Sequence, residues 1–293
     1  MSKLEIKDLT ISIVSYNSLN FLRDCLNSIL ENPPSLKYEI IVVDNASTDG
    51  SRELVQKNFP QVKLLRNSKN TGFAAANNKA ISKTNSKYIL LINSDCKVYK
   101  NSLDSLVNFM EKNKKVGIAG PKIINSDGSV QLSCRKFPSI FNAAFHTILT
   151  NIVPNNPFSR KYKLADANRD APFEVDWVSG SAMIIRRKAL EDTGLIDERY
   201  FMYVEDLDLC YRMWQKSWKV YYYPCANILH HIGGSSGNGE LKACFRMQRS
   251  VFYFFWKNYK KSWKVLLIPL LIIVLAFRVF ITFFKQCFRC FKK

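Results

Sequence analysis

The chain has 293 residues, 47% of them hydrophobic, enough for one large α/β domain with or without an appendage. Apolar runs recur throughout, with no low-complexity tract and no internal repeat, which excludes a disordered or solenoid chain. The formal net charge of +19 is uneven: Glu240 is the last acidic residue, and the cations beyond it alternate with Phe, Trp and aliphatic sequence, a pattern suited to an anionic lipid surface rather than to nucleic acid.

In chain order, the polar stretch Met1 to Lys7 leads straight into a strand pattern, so no signal peptide is expected, and the 8 scattered cysteines read as reduced cytosolic thiols. Leu9 to Ser15 is a buried-strand candidate, and Phe21, Leu22, Cys25, Leu26, Ile29 and Leu30 follow at helical spacing. Strands are predicted over Tyr38 to Val43, Val62 to Leu65 and Tyr88 to Ile92, with a short helix opened by the turn that ends at Gly50 and with Asn70-Thr-Gly-Phe-Ala-Ala-Ala leading into a helix to about Thr84. This alternation means βαβ units and a parallel sheet, whose ligands bind at the carboxyl ends of the strands.

Further on, a helix is expected over Leu103 to Lys112, with strands over Val116 to Ile124, Val130 to Ser133, Phe173 to Val178, Ala182 to Arg187 and Val220 to Tyr223. Residues 142–171 look like an inserted loop or short helices, and Val204 to Lys216 like a helix. After Gly239, Leu241 to Tyr259 suggests an aromatic, basic helix, and Val265 to Phe284 is long enough to span a bilayer. Arg278 would then sit inside the apolar run, at a cost of about 2.5 kcal/mol or more at the bilayer centre, so a helix lying in the interface is the alternative. Cys287-Phe-Arg-Cys290 stands alone without a second pair, which is weak support for a metal or redox site.

Two carboxylates end predicted strands: Asp44, in Val43-Asp44-Asn45-Ala46-Ser47-Thr48-Asp49-Gly50, and Asp95, in Asn93-Ser94-Asp95. Asp44 could simply cap the next helix, or accept from an N–H donor such as a pyrimidine imide. Asp95 suits a hard divalent cation that leaves positions for phosphate oxygens. Glu205, Asp206 and Asp208 could equally be first-turn acids favoured by the helix dipole, or catalytic carboxylates.

These segments resemble the family 2 glycosyltransferases of the GT-A fold, and in particular their rhamnosyltransferase-like branch. The same resemblance runs through Ser15-Tyr16-Asn17, Asn70-Thr-Gly72-Phe73-Ala74, Asp176-Trp177-Val-Ser179-Gly180-Ser181, Gly194-Leu-Ile-Asp197-Glu198, Glu205-Asp206-Leu-Asp208-Leu-Cys210 and His231-Ile-Gly233-Gly234, covering roughly residues 8–235. It implies an α/β chain: a Rossmann-like mixed sheet flanked by helices over residues 8–239, with a basic, apolar helical membrane-attachment segment at 240–293. The activity implied is inverting transfer of a sugar, rhamnose among the candidates, from a dTDP- or UDP-linked donor to a lipid-linked or polysaccharide acceptor. It would serve cell-envelope glycan synthesis at the cytoplasmic face of the membrane.

By the same resemblance, Ser15, Tyr16, Asn17, Asp44, Asn45, Gly72, Phe73, Asn93 and Asp95 face the donor. Tyr16 lies against the base, Asp44 receives its imide N–H, and the helix after Gly72 runs along the diphosphate. Asp95 holds a divalent metal, Mg or Mn, with His231 either the second ligand or a structural histidine; His230 is given no role. Trp177, Ser179 and Gly180 belong to the acceptor side, Asp206 is the general base, and Glu205 helps position the acceptor. Two departures stand out: Asn93 occupies the first position of the family's acidic metal motif, and Ala76-Asn77-Asn78 lacks the Arg that often precedes the Asn. The competing readings are a nucleotide-sugar-binding membrane protein without transferase activity, and a basic membrane or nucleic-acid adaptor on this fold.

Overall fold

The computed structural model describes residues 7–140, 156–231 and 240–291. Its first part alternates as the hydrophobic pattern requires: β1 (Leu9–Ser15), α1 (Leu19–Glu31), β2 (Tyr38–Asp44), α2 (Ser51–Asn58), β3 (Lys63–Arg66), α3 (Gly72–Ile81) and β4 (Tyr88–Asn93). These strands pair in parallel in the order β3-β2-β1-β4. Strands β1, β2 and β4 are buried along most of their length because helices cover both faces, so they read as continuous Ile, Val and Leu runs. In register, Ser15 lies opposite Asp44 and Val14 opposite Asn93, which lines up the three carboxyl ends at one edge.

The rest of the sheet is mixed. After β5 (Cys96–Val98), α4 (Ser102–Lys112), β6 (Val116–Ile124), β7 (Cys134–Arg135), α5 (Pro157–Tyr162), β8 (Phe173–Glu174) and β9 (Trp177–Val178) comes β10 (Ala182–Arg186), antiparallel to both β4 and β6. Helices α6 (Arg187–Thr193) and α7 (Glu205–Gln215) then lead to β11 (Lys219–His230), parallel to β6 and antiparallel to β5.

Several expected strands differ. Val130 forms only an isolated bridge to Ile124, and the paired segment begins at Cys134. The run from Phe173 to Val178 breaks in two: Val175 still donates to the Val220 carbonyl, but the Asp176 carboxylate turns to accept the Phe137 amide at 2.6 Å and redirects the chain toward β7. The late strand runs on past Tyr223 to His230, because the Pro224 stretch falls in a bulge where the register shifts between Tyr223 and Asn227. Residues 141–155, all but the first inside the expected loop, and 232–239, which include Gly233 and Gly234, lie outside the described residues.

Helices α8 (Glu240–Tyr259) and α9 (Ile268–Phe291), joined through a 3-10 turn at Trp263–Leu267, are not an appendage in their packing. Phe254, Phe255, Ile268, Leu271 and Leu275 share one apolar core with Tyr200, Leu207 and Leu209. Lys257 on α8 adds an ionic tie, with Nζ 2.8 Å from Asp197 Oδ2 and 2.7 Å from the buried Asp208 Oδ1. The opposite face of α9 exposes Ile272, Ile273, Phe277, Phe280, Phe283 and Phe284. Cys25, Cys96, Cys134, Cys210, Cys225, Cys244 and Cys287 are free thiols.

Candidate active site

The polar turns after β1 and β2 are sewn together. Asn17, at φ 50°, accepts the Thr48 amide on Oδ1 at 2.8 Å, and its own amide donates to Ser47 Oγ at 3.0 Å. The Asn45 amide donates to the Ser15 carbonyl at 2.8 Å. Tyr16 stays 38% exposed, a ring face open to a planar ligand at the mouth of the site. Asp44 is buried and ion-paired, with Arg52 Nη2 2.9 Å from Oδ2 and the Ser47 amide 3.3 Å from Oδ1. The carboxylate expected to meet a base therefore shares its charge with a guanidinium that the sequence reading passed over.

Asn45 carries the order outward to the next turn. Its Nδ2 donates to the Gly72 carbonyl at 3.1 Å, and its Oδ1 accepts from Asn67 Nδ2 at 2.7 Å and from Thr71 Oγ1 at 3.1 Å. Gly72, at φ +85°, is required twice over, because a Cβ there would also stand 2.2 Å from the Phe201 carbonyl oxygen. Phe73 donates its amide to that same oxygen at 2.9 Å. The turn at the start of α3 is thus bonded to the loop that enters α7. In that loop Tyr203 and Val204 both hold left-handed backbone, φ 71° and 73°, a strained state for a β-branched residue.

The strain delivers Glu205 and Asp206 to the cavity. Asp206 Oδ2 accepts the Gly180 amide at 2.8 Å, and Oδ1 accepts the Leu207 amide at 2.8 Å. Burial pushes the Asp206 carboxyl above the ordinary Asp range, with those two amides and the charge of Arg135 opposing. Glu205 is pushed up further, by burial and then by the neighbouring Asp206 charge, and its Oε2 is buried with no hydrogen-bond partner. Of the pair, Asp206 is the one held as an anion, and Glu205 keeps its proton more firmly.

At the metal end the two adjacent histidines separate. Strand alternation turns the side chains of His230 and His231 opposite ways. His230, opposite Cys96 across the β11–β5 pairing, brings Nε2 to 3.3 Å from Asp95 Oδ1. His231 instead contacts Ser126 Oγ through Nδ1 at 2.8 Å and packs on Phe21, while its backbone amide donates to the Asp95 carbonyl at 3.0 Å. The residue read as having no role is the one beside Asp95, and the residue read as its partner points away. Gln131 Oε1 lies 3.2 Å from His230 Nδ1, an acceptor for the Nδ1 proton in the tautomer whose Nε2 lone pair would meet a cation beside Asp95. A carboxylate oxygen and an imidazole nitrogen fit Mn²⁺ or Mg²⁺ with coordination positions to spare. Cys96 Sγ is within reach of both but donates to the Ser181 carbonyl at 3.4 Å.

One cavity of about 730 Å³ collects Tyr16, Asn45, Gly72, Phe73, Asn93, Asp95, Trp177, Ser179, Gly180, Glu205 and Asp206. Ser15, Asn17, Asp44 and His231 are not among the residues that line it. The cavity also takes in Arg135, Tyr162, Lys163, Arg246 and Arg278, which the sequence reading did not place there. Only Arg278 carried a signal, as a charge inside an apolar run.

Residues 10–194 match the family profile described as Glycosyl transferase family 2. N-acetylglucosaminyl-diphospho-decaprenol L-rhamnosyltransferase of Mycobacterium tuberculosis is 31% identical over 238 residues, which are 77% of this chain and 76% of the relative. Among solved structures, GalNAc-T7 with UDP, GalNAc and Mn²⁺ superposes with a TM-score of 0.62 at 18% identity, covering 89% of this chain and 50% of its own. The mannosyltransferase PcManGT from Pyrobaculum calidifontis, in complex with GDP-Man and Mn²⁺, gives 0.59 at 17% identity over 94% of this chain and 74% of its own. At these identities the structural matches establish the GT-A type of fold.

Proposed function

This chain belongs to glycosyl transferase family 2, on its rhamnosyltransferase-like side, and we propose that it transfers a deoxyhexosyl or hexosyl unit, with inversion, from a dTDP- or UDP-sugar to a lipid-diphosphate-linked acceptor. The observation that carries this reading is the Asp206 carboxylate, fixed by the Gly180 and Leu207 amides in the cavity that also receives Asp95.

The geometry supports the following roles. The exposed Tyr16 ring offers a stacking face to the nucleobase, and Asp44, held by Arg52, shapes the polar pocket behind it. The N-terminal end of α3, its Gly72 and Phe73 amides already bonded to Asn70 and Phe201, would offer its dipole to the diphosphate, where a helix N-terminus favours negative charge. Asp95 and His230 would hold a divalent cation, which when bound offsets charge on the departing nucleoside diphosphate. Asp206 accepts the proton of the acceptor hydroxyl as that oxygen attacks the anomeric carbon from the face opposite the leaving group. Its raised pKa makes it a stronger base than an ordinary aspartate, and general-base catalysis contributes roughly 10²- to 10⁴-fold. The two amides that hold it, Gly180 in the turn between β9 and β10 and Leu207 in the first turn of α7, orient it before it meets the hydroxyl.

The C-terminal helices support attachment to a membrane surface, on the cytoplasmic side where nucleotide sugars are made. Helix α9 is long and apolar enough to span, but its Leu271, Val274 and Leu275 pack into the protein and Arg278 lines the cavity. A helix flanked by a polar enzyme along one side and exposing Phe and Ile along the other fits an interfacial position.

The test is nucleoside diphosphate release by the purified full chain across dTDP-, UDP- and GDP-sugars, with a sugar-diphosphate lipid as acceptor and with manganese present or chelated. NMR of the product reads the anomeric configuration. Manganese-dependent transfer with inverted configuration is expected; retention, or no release with any donor, would overturn the reading.

A further inference from the structure

We propose that Arg135, Lys163 and Arg278 form a subsite for the diphosphate of an acceptor whose apolar chain leaves over α9. The inference rests on the lipid-linked acceptor proposed above, and adds to it the residues that would recognise the head group.

The three cations come from separate elements, β7, the end of α5 and α9, and line the cavity that holds Asp206. Arg135 stacks its guanidinium 5.0 Å from the Trp177 ring and 5.8 Å from the Tyr162 ring. The charges of Arg135 and Arg278 both reach the Tyr162 hydroxyl, that of Arg135 also reaches Asp206, and Lys163 feels Arg135 as a neighbouring like charge. Among the described residues none of the three has a carboxylate partner within salt-bridge distance, and the Arg135 Nε is buried without a hydrogen bond. Elsewhere in the molecule a comparable buried charge is matched: Lys257 is held between Asp197 and Asp208. Clustered cations in a part-buried cavity repel one another and cost desolvation, and an anion with several oxygens relieves both.

The carboxylates of the same wall do not supply that anion. Burial keeps Glu205 protonated, and the Asp206 anion spends both oxygens on the Gly180 and Leu207 amides, so among these cations only Arg135 feels its charge. The surroundings point to a lipid rather than a soluble diphosphate. Val251, Phe254, Phe255 and Leu275 line the cavity beside Arg278, and α9 continues outward as the exposed Phe277, Phe280, Phe283 and Phe284. An apolar chain leaving the head group along that face enters the acyl region in which an interfacial helix lies. Arg278, costly as a charge inside an apolar helix, is placed where it meets an anion at the membrane surface.

The experiment is equilibrium binding to the full chain in detergent micelles, without donor or metal. Its ligands are an isoprenyl diphosphate, the matching neutral isoprenol and inorganic pyrophosphate, and its proteins are the wild type, Arg278→Gln, Arg278→Lys and Arg135→Gln. The isoprenyl diphosphate is expected to bind the wild type more tightly than either other ligand. Arg278→Gln and Arg135→Gln should each weaken it about ten-fold or more, and Arg278→Lys less, the loss of a charge-assisted hydrogen bond. Isoprenol binding should not change, which also shows that the variants fold. Undiminished diphosphate binding in both Gln variants, or pyrophosphate binding as tightly as the lipid, would overturn the proposal. A parallel transfer assay with donor and manganese adds one more outcome that would overturn it: a raised donor KM in Arg278→Gln with an unchanged acceptor KM, which would assign these cations to the donor. Failure of the acceptor reading looks different: wild type that transfers sugar only to neutral glycans removes the lipid-diphosphate acceptor, whatever the variants bind.

Discussion

The Phe201 carbonyl oxygen occupies the space that a side chain on residue 72 would need: it stands 2.2 Å from the position of a Cβ on Gly72 and accepts the Phe73 amide at 2.9 Å. Through this contact the Gly72 turn and the loop that enters α7 keep a fixed spacing, so the proposed donor site and the proposed base are held against each other by backbone. Gly72→Ala must either strain a φ of +85° or push the 201–204 loop away. A displacement near 1 Å costs about 100-fold in rate. Turnover by Gly72→Ala within a few-fold of wild type, at matched folded fraction, would show that the loop does not depend on this contact.

Asp206 and Glu205 are adjacent, yet opposite outcomes are expected for their amides. Asp206→Asn removes the base and sets an NH₂ against one of two donating amides, so transfer should fall roughly 10²- to 10⁴-fold with donor affinity kept. Glu205→Gln imitates the protonated acid that burial favours, and should keep most of the activity. The sign of the pH dependence follows from the raised Asp206 pKa: the carboxyl holds its proton to higher pH than an ordinary Asp, so kcat/KM should fall as pH drops through that raised value, ahead of the usual Asp range. Equal losses in the two variants, or an acid limb at or below the usual range, would remove the division of roles.

The parts of this site legible in sequence are those that strand ends dictate. Strands β1, β2 and β4 are buried on both faces, so they stand out as unbroken apolar runs, and Asp44 and Asp95 mark where the runs stop. The two histidines were not legible in the same way. Which of them meets Asp95 depends on the strand parity beyond the bulge around Pro224 and on the short edge strand Cys96–Val98, and neither has a periodicity to read. Arg135 and Lys163 sit at the ends of elements of 2 and 6 residues, too short for a pattern. Arg278 was visible as an anomaly, but the cavity that explains it is assembled from chain segments far apart in sequence.

His230 and His231 give a paired test of that assembly. His230→Ala removes the imidazole 3.3 Å from Asp95 and should raise the manganese concentration needed for half-maximal transfer roughly ten-fold or more. His231→Ala loses a contact with Ser126 and a ring contact with Phe21, and should leave manganese dependence within about two-fold of wild type while lowering stability slightly. Manganese titration of nucleoside diphosphate release measures both. The reverse ranking would return the ligand role to His231.

Lys257 tests whether α8 belongs to the catalytic domain. Its Nζ bridges Asp197 Oδ2 and the buried Asp208 Oδ1; Arg199 grips both Asp197 oxygens, sharing Oδ2 with Lys257, and Arg212 Nε holds Asp208 Oδ2. Lys257→Met keeps the stem but leaves two carboxylates short of charge, at a cost of about 3 kcal/mol for a broken buried pair. The pH dependence has a defined sign. Burial opposes ionisation of Asp197, but hydrogen bonds from Arg199 and Lys257 more than offset it and hold the carboxyl well below its ordinary value of 3.8. A depressed folded-state pKa contributes stability that is full above the unfolded value and is lost as pH falls below it toward the folded value. Wild type should therefore exceed Lys257→Met by its full margin at neutral pH, and the gap should narrow as pH drops below about 4. Because α8 shares its core with α7, the variant should also lose transfer activity in parallel with stability. Thermal melts across pH, paired with activity, read both, and a variant that melts like wild type at neutral pH would mean that α8 docks through its apolar face alone.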